Sequence, residues 1–245
     1  MLRDVGQRPE AVLVMIVKRY VETAEPVGSR FVARRLGLSS ATIRNVMADL
    51  EDIGLITQPH TSAGRIPTDK GYRYYIDSLM QVRKANENMI RAIKEHYGQA
   101  LRSIEDVLGH TSHLISSLTN YVGITLFPQY DRVYFDGTSH IIEQPEFKDL
   151  KKLYTLMKCL EEKRAILNLL NNDIEDAHPA IHIGKESGFS YLNDCSIVTS
   201  GYKIKGKLSG RVGVLGPKRM IYEKVIPTVE ALADAVTEML GSLEV

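Results

Sequence analysis

The chain has no tryptophan and only two cysteines in 245 residues. A single pair of thiols, Cys159 and Cys195, cannot build a disulfide framework or a cysteine-rich metal cluster. Both are read as buried thiols of a reducing compartment. No stretch approaches the ~20 consecutive apolar residues of a membrane span, and the opening MLRDVGQRPE lacks the apolar core of a signal peptide. A cytoplasmic protein is expected. Catalytic constellations are missing as well. His110 and His113 are separated by two intervening residues with no partnering Glu or Cys motif, so no metal site is expected. The glycines between Lys205 and Gly216 alternate with Val212 and Val214, as hairpin glycines do, and form no phosphate loop. Cys195 lies in a β-rich run without the neighbours a nucleophile needs. The chain is therefore read as no enzyme, with no cofactor.

What is present is uneven charge. Lys and Arg number 31 and Asp and Glu 30, a net charge of +1, yet the acids avoid two segments. None occurs from Pro26 to Ala48, which holds Arg30, Arg34, Arg35 and Arg44, and none from Ile53 to Thr68, which holds His60 and Arg65. Local exclusion of acids is the footprint of a phosphate-facing surface. The hydrophobic fraction of 44% suffices for a core in each of two domains.

The periodicity of residues 1–83 gives a winged helix-turn-helix. A first helix spans Pro9–Thr23, with Val12, Ile16, Tyr20 and Thr23 on one face. Ser29 is placed to cap a short second helix that Gly37 ends. After the turn at Leu38 a third helix runs from about Ala41 to Ile53, capped by Ser39 or Ser40. Its buried stripe is Ile43, Val46, Met47 and Leu50, and Gly54 stops it. Leu55–Gln58 and Arg65–Pro67 then read as two strands around a turn-rich loop, followed by a helix from Thr68 or Asp69 to about Met80. Helix, turn, helix and hairpin in that order specify the module.

Residues 84–120 are expected as one long helical linker with Met89, Ile93, Tyr97, Leu101, Ile104, Leu108, Ile115 and Leu118 as a stripe, and with Gly98 and Gly109 as possible breaks. This stripe is the candidate dimer element. Residues 121–245 change to α+β texture. Strands are expected at Val122–Phe127, Asp131–Phe135, Ala180–Ile183, Asp194–Tyr202 and Gly206–Leu215. Helices are expected at Lys148–Leu170, with Leu150, Leu153, Leu156, Met157 and Leu160 inward, and at Tyr222–Leu243.

In such a module the third helix enters the major groove, N-terminal end first. Arg44 suits a bidentate contact with guanine and Asn45 one with adenine. Ser39, Ser40 and Thr42, beside free backbone N–H groups, suit phosphate, as do Ser29 and Arg30. In the wing, His60, Thr61, Ser62 and Arg65 complete the expected DNA-binding set, with small residues that let the backbone approach the duplex and Arg65 for minor groove or phosphate.

The run Leu38-Ser39-Ser40-Ala41-Thr42-Ile43-Arg44-Asn45-Val46-Met47-Ala48-Asp49-Leu50-Glu51 resembles the recognition-helix signature of the heat-inducible transcription repressor family, HrcA. Gln58 to Tyr75, QPHTSAGRIPTDKGYRYY, is similar to that family's wing and following helix. Phe135-Asp136-Gly137, Gln144-Pro145-Glu146-Phe147, Asp194 to Thr199 and Gly213 to Met220 extend the match into the second half. The resemblance implies a homodimeric repressor of chaperone operons on an inverted-repeat operator, a GAF-like α+β domain after the winged helix, and support by the chaperonin. A ligand-sensing regulator with a small-molecule-binding GAF-like domain is the alternative. The chain departs from the family in one place. Only Gln129 and Tyr130 stand where relatives carry a long inserted dimerisation segment, which shifts the expected dimer contact to the Met89–Leu118 stripe.

Overall fold

The computed structural model describes residues 6–81, 84–85, 87–97, 103–173 and 179–242. The chain divides into two units, one of Met1–Gln81 with Lys218–Ile221, the other of Val82–Pro217 with Tyr222–Val245. Arg83, Gly98, Leu101 and Leu243, which the sequence reading used, lie outside the described residues.

In the first unit, α1 (Gln7–Thr23), α2 (Ser29–Leu36) and α3 (Ser40–Asp52) precede a hairpin of β1 (Ile56–Thr57) and β2 (Ile66–Pro67), and α4 (Asp69–Tyr74) follows. The helices pack through the apolar spacing the sequence shows: Val12, Leu13, Ile16 and Val17 of α1 and Ile43, Val46, Met47 and Leu50 of α3 are all buried. Burying each such side chain contributes about 1.5–3 kcal/mol. Gly37 ends α2 in the left-handed conformation at φ +65°. The cap of α2 is Gly28 and not Ser29, which is the first helical residue. Ser29 lies one place inside because its backbone already has helical geometry. α4 starts at the Thr68 hydroxyl, which accepts from Gly71 N at 3.0 Å, and continues as a wider π-turn over Tyr75–Leu79. Tyr74 Oη donates to Glu10 Oε1 at 2.7 Å and ties α4 to α1.

The second unit begins with α5 (Glu87–Tyr97) and α6 (Ile104–Thr119). The single long linker helix of the sequence reading is thus two helices, and both belong to this unit. Gly109 interrupts nothing, since it sits inside α6. β3 (Val122–Phe127) and β4 (Arg132–Asp136) follow, then α7 (His140–Glu143), α8 (Leu150–Glu162), α9 (Arg164–Asn172), β5 (Ala180–Ile183), β6 (Cys195–Ile204), β7 (Lys207–Pro217) and α10 (Tyr222–Ser242). The five strands form one antiparallel sheet in the order β4-β3-β7-β6-β5. The expected GAF-like α+β domain therefore has helices over both faces of a sheet. Along β3 the pleat sends alternate residues to opposite sides. Val122, Ile124 and Leu126 share a core with Leu156, Leu160, Ile166 and Leu170 of α8 and α9, while Gly123 faces Ser112 and Ile115 of α6. Cys159 and Cys195 are buried free thiols.

Two further expectations for this unit fail. The helix expected over Lys148–Leu170 breaks at Lys163, whose φ of +55° separates α8 from α9. Leu150, read as inward, is 79% exposed. It begins α8 directly after the Asp149 cap, one turn before the helix reaches the core. A further feature had no sequence signal: Arg211, in the central strand β7, is wholly buried. Its guanidinium donates to Thr199 Oγ1 at 2.9 Å, to Thr199 O at 3.2 Å and to Asp173 O at 2.5 Å. Those contacts supply hydrogen bonds that burial would otherwise deny the charge.

Tyr97 closes α5 from inside. Its hydroxyl shares a 2.5 Å hydrogen bond with Thr111 Oγ1, and burial pushes its pKa up to about 12, the Thr111 bond opposing only in part. A pKa raised in the folded state means that the folded form holds the proton more tightly. The stability this adds is complete below pH ~10 and is lost as pH rises through about 12. Unfolding free energies from denaturant titrations between pH 9 and 12 should fall more steeply for the native protein than for Tyr97→Phe, by on the order of 2 kcal/mol over that span. Burial pushes Tyr202 in the same direction, so a residual slope should survive in the variant.

Candidate nucleic-acid interface

The interface is built on the first turn of α3. Ser39 caps the helix: its Oγ accepts from Thr42 N at 3.0 Å and lies 2.9 Å from Thr42 Oγ1. One orphan N–H of the helix start is thereby satisfied, and the others stay open toward the positive end of the helix dipole. No acid occurs in that turn. With Ile43, Val46 and Met47 turned into the core, the helix period leaves Ala41, Arg44, Asn45 and Ala48 exposed on the opposite face. Ser40 and Thr42 are half-buried beside them. The acids Asp49, Glu51 and Asp52 gather at the other end of α3. The helix thus gathers its acids at one end and has none in its first turn.

The wing lies beside this face. His60, Thr61 and Ser62 are exposed at its tip, where Ala63 N donates to His60 O at 2.8 Å to close the turn. Gln58 Nε2 donates at 2.9 Å to both Thr61 O and Ala63 O, and so fixes the loop from within. Arg65 leaves the tip. Its backbone exchanges two 2.9 Å hydrogen bonds with Val27, which ties the wing to the connection between α1 and α2. Its Nη2 meets Glu51 Oε2 at 2.9 Å, and the side chain is 21% exposed. The other Glu51 oxygen accepts from Gln58 N at 3.1 Å. One carboxylate on the recognition helix therefore holds both legs of the wing.

Gly64 also has a role inside the fold: a Cβ there would stand 2.5 Å from Val27 C and O. The structure also gathers residues that the sequence reading named separately. Ser29, Arg30, Arg44, Ser62 and Arg65 border one cleft of about 480 Å³ between α2, α3 and the wing. Two more arginines, Arg19 and Arg35, place their guanidinium groups 5.0 and 5.4 Å from the Phe31 ring. Glu51 and Gln58 are the residues that sequence reasoning missed. No periodicity marks a carboxylate that bonds seven positions ahead. Among the described residues no three metal-ligating side chains cluster, and no helix is long and apolar enough to cross a membrane.

Known proteins resemble this chain over nearly its whole length. Residues 5–93 match the family described as a winged helix-turn-helix transcription repressor, HrcA DNA-binding, and residues 127–226 match the HrcA protein C-terminal domain. The heat-inducible transcription repressor HrcA of Geobacter sulfurreducens is 32% identical, over 98% of this chain and 99% of its own length. The protein of the same name from Moorella thermoacetica is 31% identical, over 97% and 98%. The first of these alignments extends over 339 positions against 245 residues here, so more than a quarter of its positions have no counterpart in this chain. A solved structure described as a hypothetical protein superposes with a TM-score of 0.79 at 21% identity, over 98% of this chain and 99% of its own, and supports the fold. With its winged helix and its α+β second unit matched over nearly the whole length, the chain belongs to the HrcA family of transcription repressors.

Proposed function

We propose that this chain acts as a cytoplasmic, homodimeric repressor that seats two α3 helices in the major grooves of an inverted repeat upstream of heat-shock chaperone operons. The observation that carries this reading is the exposed pair Arg44 and Asn45 at the acid-free end of α3, beside the wing. Arg44 reads guanine and Asn45 adenine. Ser39, Ser40, Thr42, Ser29 and Arg30 hold phosphates around them. His60, Thr61 and Ser62 lie along the flanking backbone, with Arg65 behind them. Heat relieves repression by lowering the folded, dimeric population, which modest stability changes alter strongly. Chaperonin restores that population.

Gel-shift titration on an inverted repeat, a single half-site and a scrambled site tests the reading. Arg44→Ala should cost about 1–3 kcal/mol on the inverted repeat and relax the preference at one base position. An unchanged affinity for the repeat would remove Arg44 from the groove. Protein heated until binding is lost should regain it with chaperonin and ATP. Failure to regain it would end the feedback part of the proposal.

A further inference from the structure

We infer that the channel between α5 and α10 docks a second copy of this chain about a twofold axis. The inference rests on the homodimer reading above and names its contact surface. The channel is a hollow of about 490 Å³ on the second unit, lined on one side by α10 and on the other by α5 and the residues just before it. Its two rims differ in sign. Along α10 the charged lining residues are Glu230, Asp234 and Glu238, four apart and so on one helix face. On the α5 side they are Lys84 and Lys94. A basic peptide would meet the lysines and an acidic one the carboxylates, so either would face like charge on one rim. A copy turned by 180° lays its lysine rim on the acidic rim of the first and its acidic rim on the first one's lysines, which satisfies both at once.

Shape agrees with charge. The floor is made of small or compact residues, Pro227, Ala231 and Ala235, which keep the hollow open. At its lip Ile90 is 40% exposed, an apolar side chain with no place in the DNA-binding surface. Turned about the axis, each Ile90 becomes the knob for the partner's hollow. The Lys94–Glu238 ion pair, 2.9 Å long, crosses the channel within one chain, and Asp234 and Lys84 are the lining charges assigned to reach across. α10 is about 30 Å long and α5 about 16 Å, so the two helices offer each copy a continuous strip to face.

Sedimentation equilibrium of the full chain, at concentrations from nanomolar to micromolar, tests the proposal. Ile90→Asp should raise the dimer dissociation constant at least a hundredfold, with the far-ultraviolet circular dichroism unchanged. Asp234→Lys should raise it about tenfold, and adding Lys84→Glu to that variant should recover most of the loss. Ile142→Asp, at another exposed apolar position of the second unit, should leave dimerisation intact. A native dimer that persists in both Ile90→Asp and Asp234→Lys would overturn this surface while leaving the homodimer reading standing. A native chain that stays monomeric throughout would overturn both. Should Ile90→Asp fail to fold, the charge reversal and its rescue decide the matter alone.

Discussion

Alanine at position 71 should destabilise the winged helix by about 3 kcal/mol or more. Gly71 lies in the first turn of α4, where the helix passes directly over the start of β1. A Cβ there would stand 1.9 Å from the carbonyl oxygen of Leu55 and 3.0 Å from its carbon. Neither neighbour can yield. Leu55 is fully buried, and its carbonyl already accepts from Thr68 N at 3.1 Å. Relief would require α4 to lift, which would break the Thr68 cap on Gly71 N and the 2.7 Å bond from Thr68 Oγ1 to Gly54 O. Those bonds join the end of α3 to the wing, so the loss should reach the recognition helix. Thermal unfolding should show a midpoint many degrees below the native one, with DNA binding lost at temperatures where the native chain still binds. A midpoint within a degree or two of native would mean that α4 is not seated on β1 as described.

Removing Glu51 should lower the ratio of cognate to random DNA affinity by about tenfold, against simple electrostatics. Taking one negative charge from a DNA-facing domain ordinarily tightens all binding a little, through phosphate attraction. Here the same carboxylate holds Arg65 at 2.9 Å and Gln58 N at 3.1 Å. In Glu51→Ala the wing loses its anchor to α3, and Arg65 swings free. Random DNA gains a mobile cation and should be bound as well or better. The cognate site loses a wing held in register with α3 and should be bound more weakly, since ordering that loop must then be completed on binding. Glu51→Gln should fall between, because its amide oxygen can still accept from Gln58 N. Parallel titrations on both DNAs separate the two effects. A cognate affinity that rose together with the random one would leave electrostatics as the only role of Glu51.

Sequence reading captured what local rules write down. The stripe Ile43, Val46, Met47 and Leu50 follows from helical period, and all four are buried. Ser39 was one of two caps the sequence allowed, and its hydroxyl makes the bond. The hairpin and the five later strands were legible through alternation and turn residues. The misses have physical causes. Lys163 takes a positive φ without being glycine or asparagine, so the break between α8 and α9 carried no letter to read. Leu150 fits the apolar period but stands at a helix start, ahead of the core. Arg65 was read correctly as a basic wing residue, but its pairing with Glu51 joins elements that only folding brings together. Arg211 gave no sign at all, because a buried cation and a surface cation look alike until a strand is placed in the middle of a sheet.

The turn between β3 and β4 has a consequence for engineering. Pro128–Tyr130 form a single helical turn, Asp131 takes the left-handed conformation, and the ladder resumes at once with Phe127 opposite Arg132. The tip lies beyond the last paired rung, so the register of the two strands is set by the residues behind it. Lengthening a loop at such a place adds closure entropy only logarithmically. Gln129 and Tyr130 therefore mark a graft point: a reporter domain whose own ends lie close together could be spliced there while the five-stranded ladder kept its register.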